Sequence, residues 1–244
     1  MIILAANNIS KIYEDKKIIE DISINVNENE IVSLLGISGV GKSTLFNILS
    51  GLIKPDSGEI RLNNSDVTGQ TGHVSYMQQK DLLLPFKTII DNVALPLVIQ
   101  GVTKKAARAQ AIQNFNKFGL DGYENKYPDQ LSGGMKQRAA LLRTYMFSRD
   151  VALLDEPFSA LDAITKNAIH LWYLDLMTKI PMSTILITHD IDEAIILSDR
   201  IYIMKGTPGK ITTEIKIDIN KPRSDDFVTS YEFIEYKRKI IKLL

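Results

Sequence analysis

The sequence of 244 residues predicts one α/β domain over residues 1–244, with an antiparallel β region and an inserted helical lobe. Three observations lead to this prediction. Short β-branched runs alternate with longer amphipathic stretches, as they do in layered α/β cores. Residues 1–75 contain strand-like runs joined by turns of Asn, Asp and Gly. Residues 87–148 are mostly helical in pattern, which indicates a lobe inserted between core strands.

The expected strands fall into two groups. Those of the antiparallel region are placed at 5–12, 18–27 and 59–62. Those of the core are short, apolar and rich in β-branched residues, as buried parallel strands are. They are placed at 30–36, 73–77, 151–155, 183–188 and 200–204.

Capping residues mark the helices. The first core helix is expected at 42–49. In the lobe, Thr103 is expected to cap a helix that Gly119 closes, and a second helix is expected to begin near Ser132. A last helix is expected at about 224–244, with Ser224 as its cap and a packing role against the core.

Composition excludes several classes of protein. The 29 basic side chains balance the 29 acidic ones, so the positive excess of a duplex-DNA binder is missing and no nucleic-acid partner is expected. The absence of cysteine excludes disulfides, thiolate metal sites and a cysteine nucleophile. No stretch approaches the ~18–20 apolar residues that cross a bilayer, so a membrane role would require a partner.

A glycine-rich loop separates the first core strand from its helix. The stretch GISGVGKS at 36–43 matches the phosphate-binding pattern G-x-x-x-x-G-K-[ST]. Its glycines bring backbone N–H groups close to phosphate oxygens, and Lys42 adds a positive charge. The Ser43 hydroxyl can ligate Mg²⁺. The sequence therefore predicts a nucleotide phosphate site.

Polar side chains follow two of the later core strands. Asp155 and Glu156 end the strand at 151–155 and must point to opposite sides. One carboxylate can therefore hold Mg²⁺ while the other faces an attacking water. His189 follows the strand at 183–188, at the sheet edge where ligands of parallel sheets bind. These residues predict a hydrolytic site beside the terminal phosphate.

A second anion site is predicted where LSGG opens the lobe's second helix. Ser132 suits an N-cap, and Gly133 and Gly134 leave backbone N–H groups open. A chain that binds one nucleotide needs only one phosphate cradle. Two cradles therefore indicate that two chains meet head-to-tail around shared nucleotides.

Together these motifs resemble those of the ATP-binding-cassette (ABC) ATPases over about residues 1–215. In chain order they are GISGVGKST at 36–44, Gln79 in YMQQ, LSGGMKQ at 131–137, VALLDE at 151–156, SALD at 159–162 and His189. The resemblance implies a P-loop NTPase core, the cofactors ATP and Mg²⁺, and ATP hydrolysis by a homodimer of cassettes.

The resemblance also implies roles for individual residues. Glu156 would be the general base, His189 would contact the γ-phosphate, and Gln79 would contact Mg²⁺ or the attacking water. Gln78 competes for this last role, but residues 81–86 fit the family better with Gln79. Mg²⁺ would be held by Ser43, Gln79 and Asp155. ATP would be bound by Tyr13, which stacks on adenine, by Gly36, Ser38, Gly39, Gly41, Lys42, Ser43 and Thr44, and by Ser132, Gly133 and Gly134 of the opposite subunit. Asp162 would lie at the dimer seam.

Finer features resemble the nitrate, sulfonate and taurine type of importer ATPases, notably DLLLPFKTIIDNV at 81–93. This implies transmembrane permease subunits, an extracytoplasmic substrate-binding protein and a position at the cytoplasmic face of the membrane. Residues 82–86 would form an exposed socket for the permease, or else ordinary core of the lobe.

Two other classes fit the sequence less well. A P-loop kinase or GTPase would lack LSGGMKQ. A non-transport ABC ATPase of DNA repair, chromosome structure or translation would differ, since the chromosome type inserts very long coiled coils and the translation type usually carries two cassettes.

Overall fold

The computed structural model of the protein describes residues 1–147, 150–159, 163–180, 182–219, 223 and 225–244. Its core is a six-stranded sheet, parallel except for one edge strand. The strands in spatial order are β10 (Lys210–Lys216), β9 (Arg200–Lys205), β3 (Ile31–Leu35), β8 (Ser183–Thr188), β7 (Val151–Asp155) and β6 (Ser75–Met77). Every residue of β3, β7 and β8 is buried, as expected for strands covered on both faces.

A second sheet of four antiparallel strands lies beside this core. Its strands in spatial order are β2 (Lys16–Asn27), β1 (Ile2–Tyr13), β4 (Ser57–Leu62) and β5 (Ser65–Asp66). The turn from β1 to β2 is made by Glu14 and Asp15, both with positive φ, as in tight hairpins. Inward-facing side chains such as Ile24 share a hydrophobic core with Leu34 of β3. The antiparallel sheet therefore buttresses the strand that leads into the glycine-rich loop.

The helices of the core and the lobe follow the expected order. They are α1 (Lys42–Leu49), α2 (Ile89–Ile99), α3 (Lys104–Ile112), α4 (Gly133–Met146), α5 (Ala163–Lys179), α6 (Ile191–Leu197) and α7 (Tyr231–Leu243). Helices α2, α3 and α4 form the lobe, and α2 packs against both of the others. The predicted α/β core with an antiparallel β region and a helical lobe is confirmed. No helix in the described ranges is both long enough and apolar enough to cross a membrane.

Two helix boundaries differ from the sequence expectation. Thr103 caps α3 as expected, but α3 ends at Ile112 and a series of turns continues to Gly119. Phe115 and Phe118 in these turns are fully buried, so the apolar spacing continues although the helix does not. At the C-terminus, the α-helix begins at Tyr231 after a 3₁₀ turn, and its cap is Ser230. Ser224 lies outside the described residues.

Candidate functional site

The register of the parallel sheet brings three loops to one edge. Leu35 at the end of β3 pairs with Thr188 at the end of β8. Asp155 at the end of β7 pairs with Ile187 of β8. The loops that follow these strands therefore emerge side by side, as ligand-binding loops do in parallel sheets. They carry the glycine-rich loop, Glu156 and His189.

The backbone of the glycine-rich loop requires glycine at two positions. Gly41 has φ +108, a conformation that other residues rarely adopt, and a side chain there would meet Ile19. A Cβ atom on Gly36 would lie 2.5 Å from the carbonyl oxygen of Met204. The loop consequently folds tightly over the sheet edge, where its N–H groups are available for an anion.

Lys42 lies inside this loop and is 6% exposed. Its ammonium donates hydrogen bonds to the carbonyl oxygens of Gly36 at 2.7 Å and Ile37 at 2.9 Å. Burial lowers the pKa of Lys42, while the nearby carboxylates of Glu156 and Asp155 act to raise it. Because this ammonium is partly desolvated and hydrogen-bonded to two neutral carbonyl groups, a charged hydrogen bond to a bound phosphate would stabilise it.

A cavity of about 290 Å³ opens between the glycine-rich loop and the segments that carry Gln79 and Glu156. Most of the residues that line it are expected site residues. They are Ile18, Ser38, Gly39, Gly41, Lys42, Ser43, Thr44, Gln79 and Glu156. The folded chain therefore brings most of the predicted phosphate-loop residues, Gln79 and Glu156 to a single opening, whereas His189 does not line it.

Asp155 lies behind this cavity and is 7% exposed. Burial raises its pKa, and a hydrogen bond from Ser43 opposes this effect. A hydroxyl and a carboxylate in contact suit Mg²⁺, which prefers oxygen ligands and completes its shell with water and phosphate oxygens. No group of three His, Asp or Glu side chains that could hold a metal occurs in the described part of the chain. The hydroxyl of Ser43 and the carboxylate of Asp155 are thus the oxygen donors that would fit a Mg²⁺ ion here.

Glu156 makes two side-chain contacts at the rim of the cavity. The amide nitrogen of Gln79 donates to one carboxylate oxygen at 3.0 Å. Nδ1 of His189 lies 3.1 Å from the other oxygen. Glu156 has φ +47, a strained conformation for a residue with a side chain. The backbone thus orients this carboxylate between two polar side chains, where it can receive the proton of a water.

The other predicted nucleotide contacts lie apart from this cavity. Ser132 caps α4, because its hydroxyl accepts a hydrogen bond from the N–H of Met135 at 3.3 Å. Ser132 and Gly133 are exposed, and neither they nor Gly134 lines the cavity. Tyr13 is 42% exposed at the end of β1. Asp162 lies outside the described residues.

Two further residues, not expected from the sequence, lie beside the site. Tyr76 is half-buried, and burial together with the charge of Asp155 raises its pKa. Arg143 of α4 donates to the backbone carbonyls of Asp81 and Leu82, in the segment that follows Gln79. For Arg143 the available signal was its place as the only charged residue of the ALLRT stretch at 140–144, and for Tyr76 it was its place at the start of the YMQQ stretch that contains Gln79.

A separate groove of about 440 Å³ lies between the core and the lobe. It is lined mostly by apolar side chains, among them Leu52, Leu82, Leu95, Pro96, Ile99 and Phe147. Leu82 is 49% and Phe86 72% exposed, whereas Leu83 is buried. Within residues 82–86, the exposed Leu82 and Phe86 fit the expected permease socket, whereas the buried Leu83 fits the expected core of the lobe. Asn92, fully buried, holds it in place through hydrogen bonds with the backbone of Leu84.

Known proteins resemble this chain along most of its length. The ABC transporter family profile matches residues 19–159. The chain is 45% identical over 225 residues to the formylaminopyrimidine import ATP-binding protein ThiZ of Halalkalibacterium halodurans, covering 92% of this chain and 87% of that protein. It is 38% identical over 219 residues to the taurine import ATP-binding protein TauB of Pseudomonas aeruginosa, covering 88% and 83% respectively.

Similarity extends to solved structures. The dimeric structure of a bacterial ABC transporter cassette superposes with a TM-score of 0.76 at 29% identity. The match covers 89% of this chain and 100% of that chain. The cassette architecture is therefore shared over nearly the whole chain.

Proposed function

Because this chain belongs to the ABC transporter family and is one of its ATPases, we propose that two copies of it hydrolyse ATP at a shared interface and thereby drive a small-molecule importer. The observation that carries this proposal is the pair of contacts from Gln79 and His189 to Glu156 beside the glycine-rich loop. ThiZ and TauB are both named import ATP-binding proteins. No relative reported above is named for DNA repair or translation.

In the proposed mechanism the phosphates of ATP lie on the N–H groups of residues 36–44, with Lys42 against the terminal phosphates. Mg²⁺, held by Ser43, Asp155 and Gln79, would neutralise charge on the phosphate oxygens. Glu156 takes the proton of the attacking water. His189 donates a hydrogen bond to the γ-phosphate once ATP is bound.

The LSGG segment completes the site from the opposite subunit in this proposal. Its place is supported by the exposure of Ser132 and Gly133 at the N-terminus of α4, away from the chain's own phosphate loop. ATP favours the closed dimer because only that state provides both sets of contacts. Loss of the γ-phosphate removes the bridge, and the dimer opens.

Ser132→Arg is expected to leave ATP binding by a single chain intact and to block ATP-dependent dimer closure. The bulky cation would occupy the space that the partner's phosphates need, whereas the chain's own phosphate loop is untouched. Sizing chromatography in the presence of ATP measures closure. A mixture with Lys42→Ala protein should retain one competent site of two, and a complete failure to associate would contradict the shared-site arrangement.

The groove between the core and the lobe is the proposed docking site of the permease. Its support is a largely apolar lining next to the loop that carries Gln79, where Leu82 and Phe86 remain exposed. Movement of a docked permease segment would reach Gln79 through this loop. The chain would then act at the cytoplasmic face of the membrane, with an extracytoplasmic substrate-binding protein as an indirect partner.

Leu82→Glu is expected to weaken association with the permease at least ~10-fold, because it places a charge in an apolar interface. Ile112→Glu is the matched control, since Ile112 lies at the end of α3, outside the groove, and is 50% exposed against 49% for Leu82. Co-purification from detergent-solubilised membranes measures the association. Equal recovery of permease by both variants would exclude the groove.

The proposed function as a whole is tested by the membrane protein that co-purifies with this chain. A permease accompanied by a substrate-binding protein is the expected result, and the ligand of that binding protein identifies the cargo. The expected cargo is a small organic or inorganic anion or a related small molecule. Co-purification with nucleic acid or ribosomes alone would instead favour a non-transport ABC ATPase.

A further inference from the structure

His189 depends on its flanking residues for its position. Its side chain is 52% exposed and contacts Glu156 through a single nitrogen. It lies between the last residue of β8 and the first turn of α6. The N–H of Asp190 donates to the Thr188 hydroxyl at 3.0 Å, which tightens the turn around His189. Any group that holds Asp190 therefore also holds the backbone of His189.

The two carboxylate oxygens of Asp190 have separate partners. Oδ1 accepts hydrogen bonds from the N–H groups of Asp192 and Glu193 and so caps α6. Oδ2 lies 3.2 Å from the ammonium of Lys166. Burial acts to raise the pKa of Asp190, but the backbone donors and Lys166 outweigh this effect and lower it. The carboxylate therefore stays ionised, and Lys166 is its basic partner in the described part of the chain.

Lys166 belongs to the first turn of α5, the helix that follows the Glu156 loop. Its side chain is 20% exposed and that of Asp190 32%, so the ion pair is more shielded than an ordinary surface pair. One turn further on, Nε2 of His170 lies 3.5 Å from the buried carboxylate of Glu193 without forming a hydrogen bond to it. The helix after Glu156 is thus tied to the helix after His189.

Two side-chain contacts therefore link these segments. Glu156 meets His189 at the rim of the site, and Lys166 meets Asp190, the residue that follows His189. We propose that Lys166 is a positioning residue for His189, acting through Asp190 to fix the distance between the imidazole and the Glu156 carboxylate. This inference rests on the proposed role of His189. It adds a residue outside the motifs, on a helix that does not line the nucleotide cavity.

Loss of the Lys166 ammonium should change the site without unfolding the chain, because Asp190 can still cap α6 through Oδ1. Lys166→Met is therefore expected to lower kcat for ATP about ten-fold with KM changed less than about two-fold, the pattern of lost positioning in the reacting complex. Lys166→Arg should retain at least about half of the wild-type kcat, since a guanidinium can still pair with the carboxylate.

Lys179→Met is the matched control on the same helix. Lys179 makes an exposed ion pair with Asp175, four residues earlier, and neither residue approaches the site. This variant is expected to keep the wild-type kcat. The double variant of Lys166→Met with His189→Ala should hydrolyse ATP no more slowly in single turnover than His189→Ala alone.

A direct readout uses the three histidines of the chain, His73, His170 and His189. In protein labelled with carbon-13 at histidine, Lys166→Met should shift or broaden the imidazole signal of His189 and leave that of His73 in place. Signals are assigned by His189→Ala and His73→Ala. An unmoved His189 signal with wild-type kcat would overturn the proposal, as would additive losses in the double variant.

A fall in kcat that accompanies movement of all three signals and a lower Tm would show general destabilisation, and it would also overturn the proposal. A different result is expected if the proposed role of His189 in ATP hydrolysis is itself wrong. If His189→Ala hydrolyses ATP at the wild-type rate, the role of His189 is wrong, whatever Lys166 does to its signal.

Discussion

Glu156→Gln is expected to bind ATP with wild-type affinity, to hydrolyse it at least ~100-fold more slowly and to accumulate as an ATP-bound dimer. The amide keeps the size of the carboxylate and can still contact Gln79 and His189, which lie 3.0 and 3.1 Å from its oxygens. It cannot accept the proton of a water. ATP therefore remains intact and continues to hold the two subunits together.

The measurement combines steady-state phosphate release with sizing chromatography in ATP and Mg²⁺. Glu235→Gln provides the matched control, because Glu235 lies on the surface of α7 and takes no part in the site. It is expected to turn over normally and to show no trapped dimer. A Glu156→Gln protein that stays monomeric in ATP and hydrolyses at nearly the wild-type rate would rule out Glu156 as the base.

The sequence alone predicts the bounds of those elements whose apolar pattern and length both indicate the same type of secondary structure. The strand at 151–155, the strand at 183–188 and the helix at 42–49 have the expected bounds. The two strands are short, fully buried runs, and the helix directly follows the phosphate-binding pattern, so competing structures are few. The end of α3 was not predictable from spacing, because Phe115 and Phe118 bury their side chains from turns that preserve the apolar rhythm.

The candidate site likewise combines features that the sequence predicts with features that it does not predict. Adjacent parallel strands place Glu156 and His189 at one edge, so their proximity follows from the topology that the motifs predict. The folding of Lys42 onto the Gly36 carbonyl depends on a loop conformation that no periodicity encodes, and the approach of Tyr76 to Asp155 depends on the register in which β6 pairs with β7. The position of the LSGG segment against a nucleotide depends on a second chain, so its role remains a prediction.

Lys42→Ala is expected to weaken ATP binding at least ~30-fold, which corresponds to about 2 kcal/mol for the loss of a charged hydrogen-bond donor from a buried site. In the wild-type protein Lys42 is 6% exposed, and its ammonium is held by the carbonyl oxygens of Gly36 and Ile37. Binding can replace these neutral partners with anionic phosphate oxygens. Alanine removes the charge and leaves the phosphates facing a loop with only neutral N–H and hydroxyl donors.

Calorimetric titration with ATP and Mg²⁺ measures this loss, and Lys54→Ala, which removes an exposed lysine, is the control expected to bind normally. A pH series gives a second check. Because burial lowers the pKa of Lys42, its positive charge is present below that pKa and is lost at lower pH than in an ordinary lysine. Wild-type affinity should therefore decline as the pH rises through this lowered pKa. The Lys42→Ala protein lacks the titrating group, so its remaining affinity should not show that decline. Unchanged affinity in Lys42→Ala would overturn the phosphate-loop assignment.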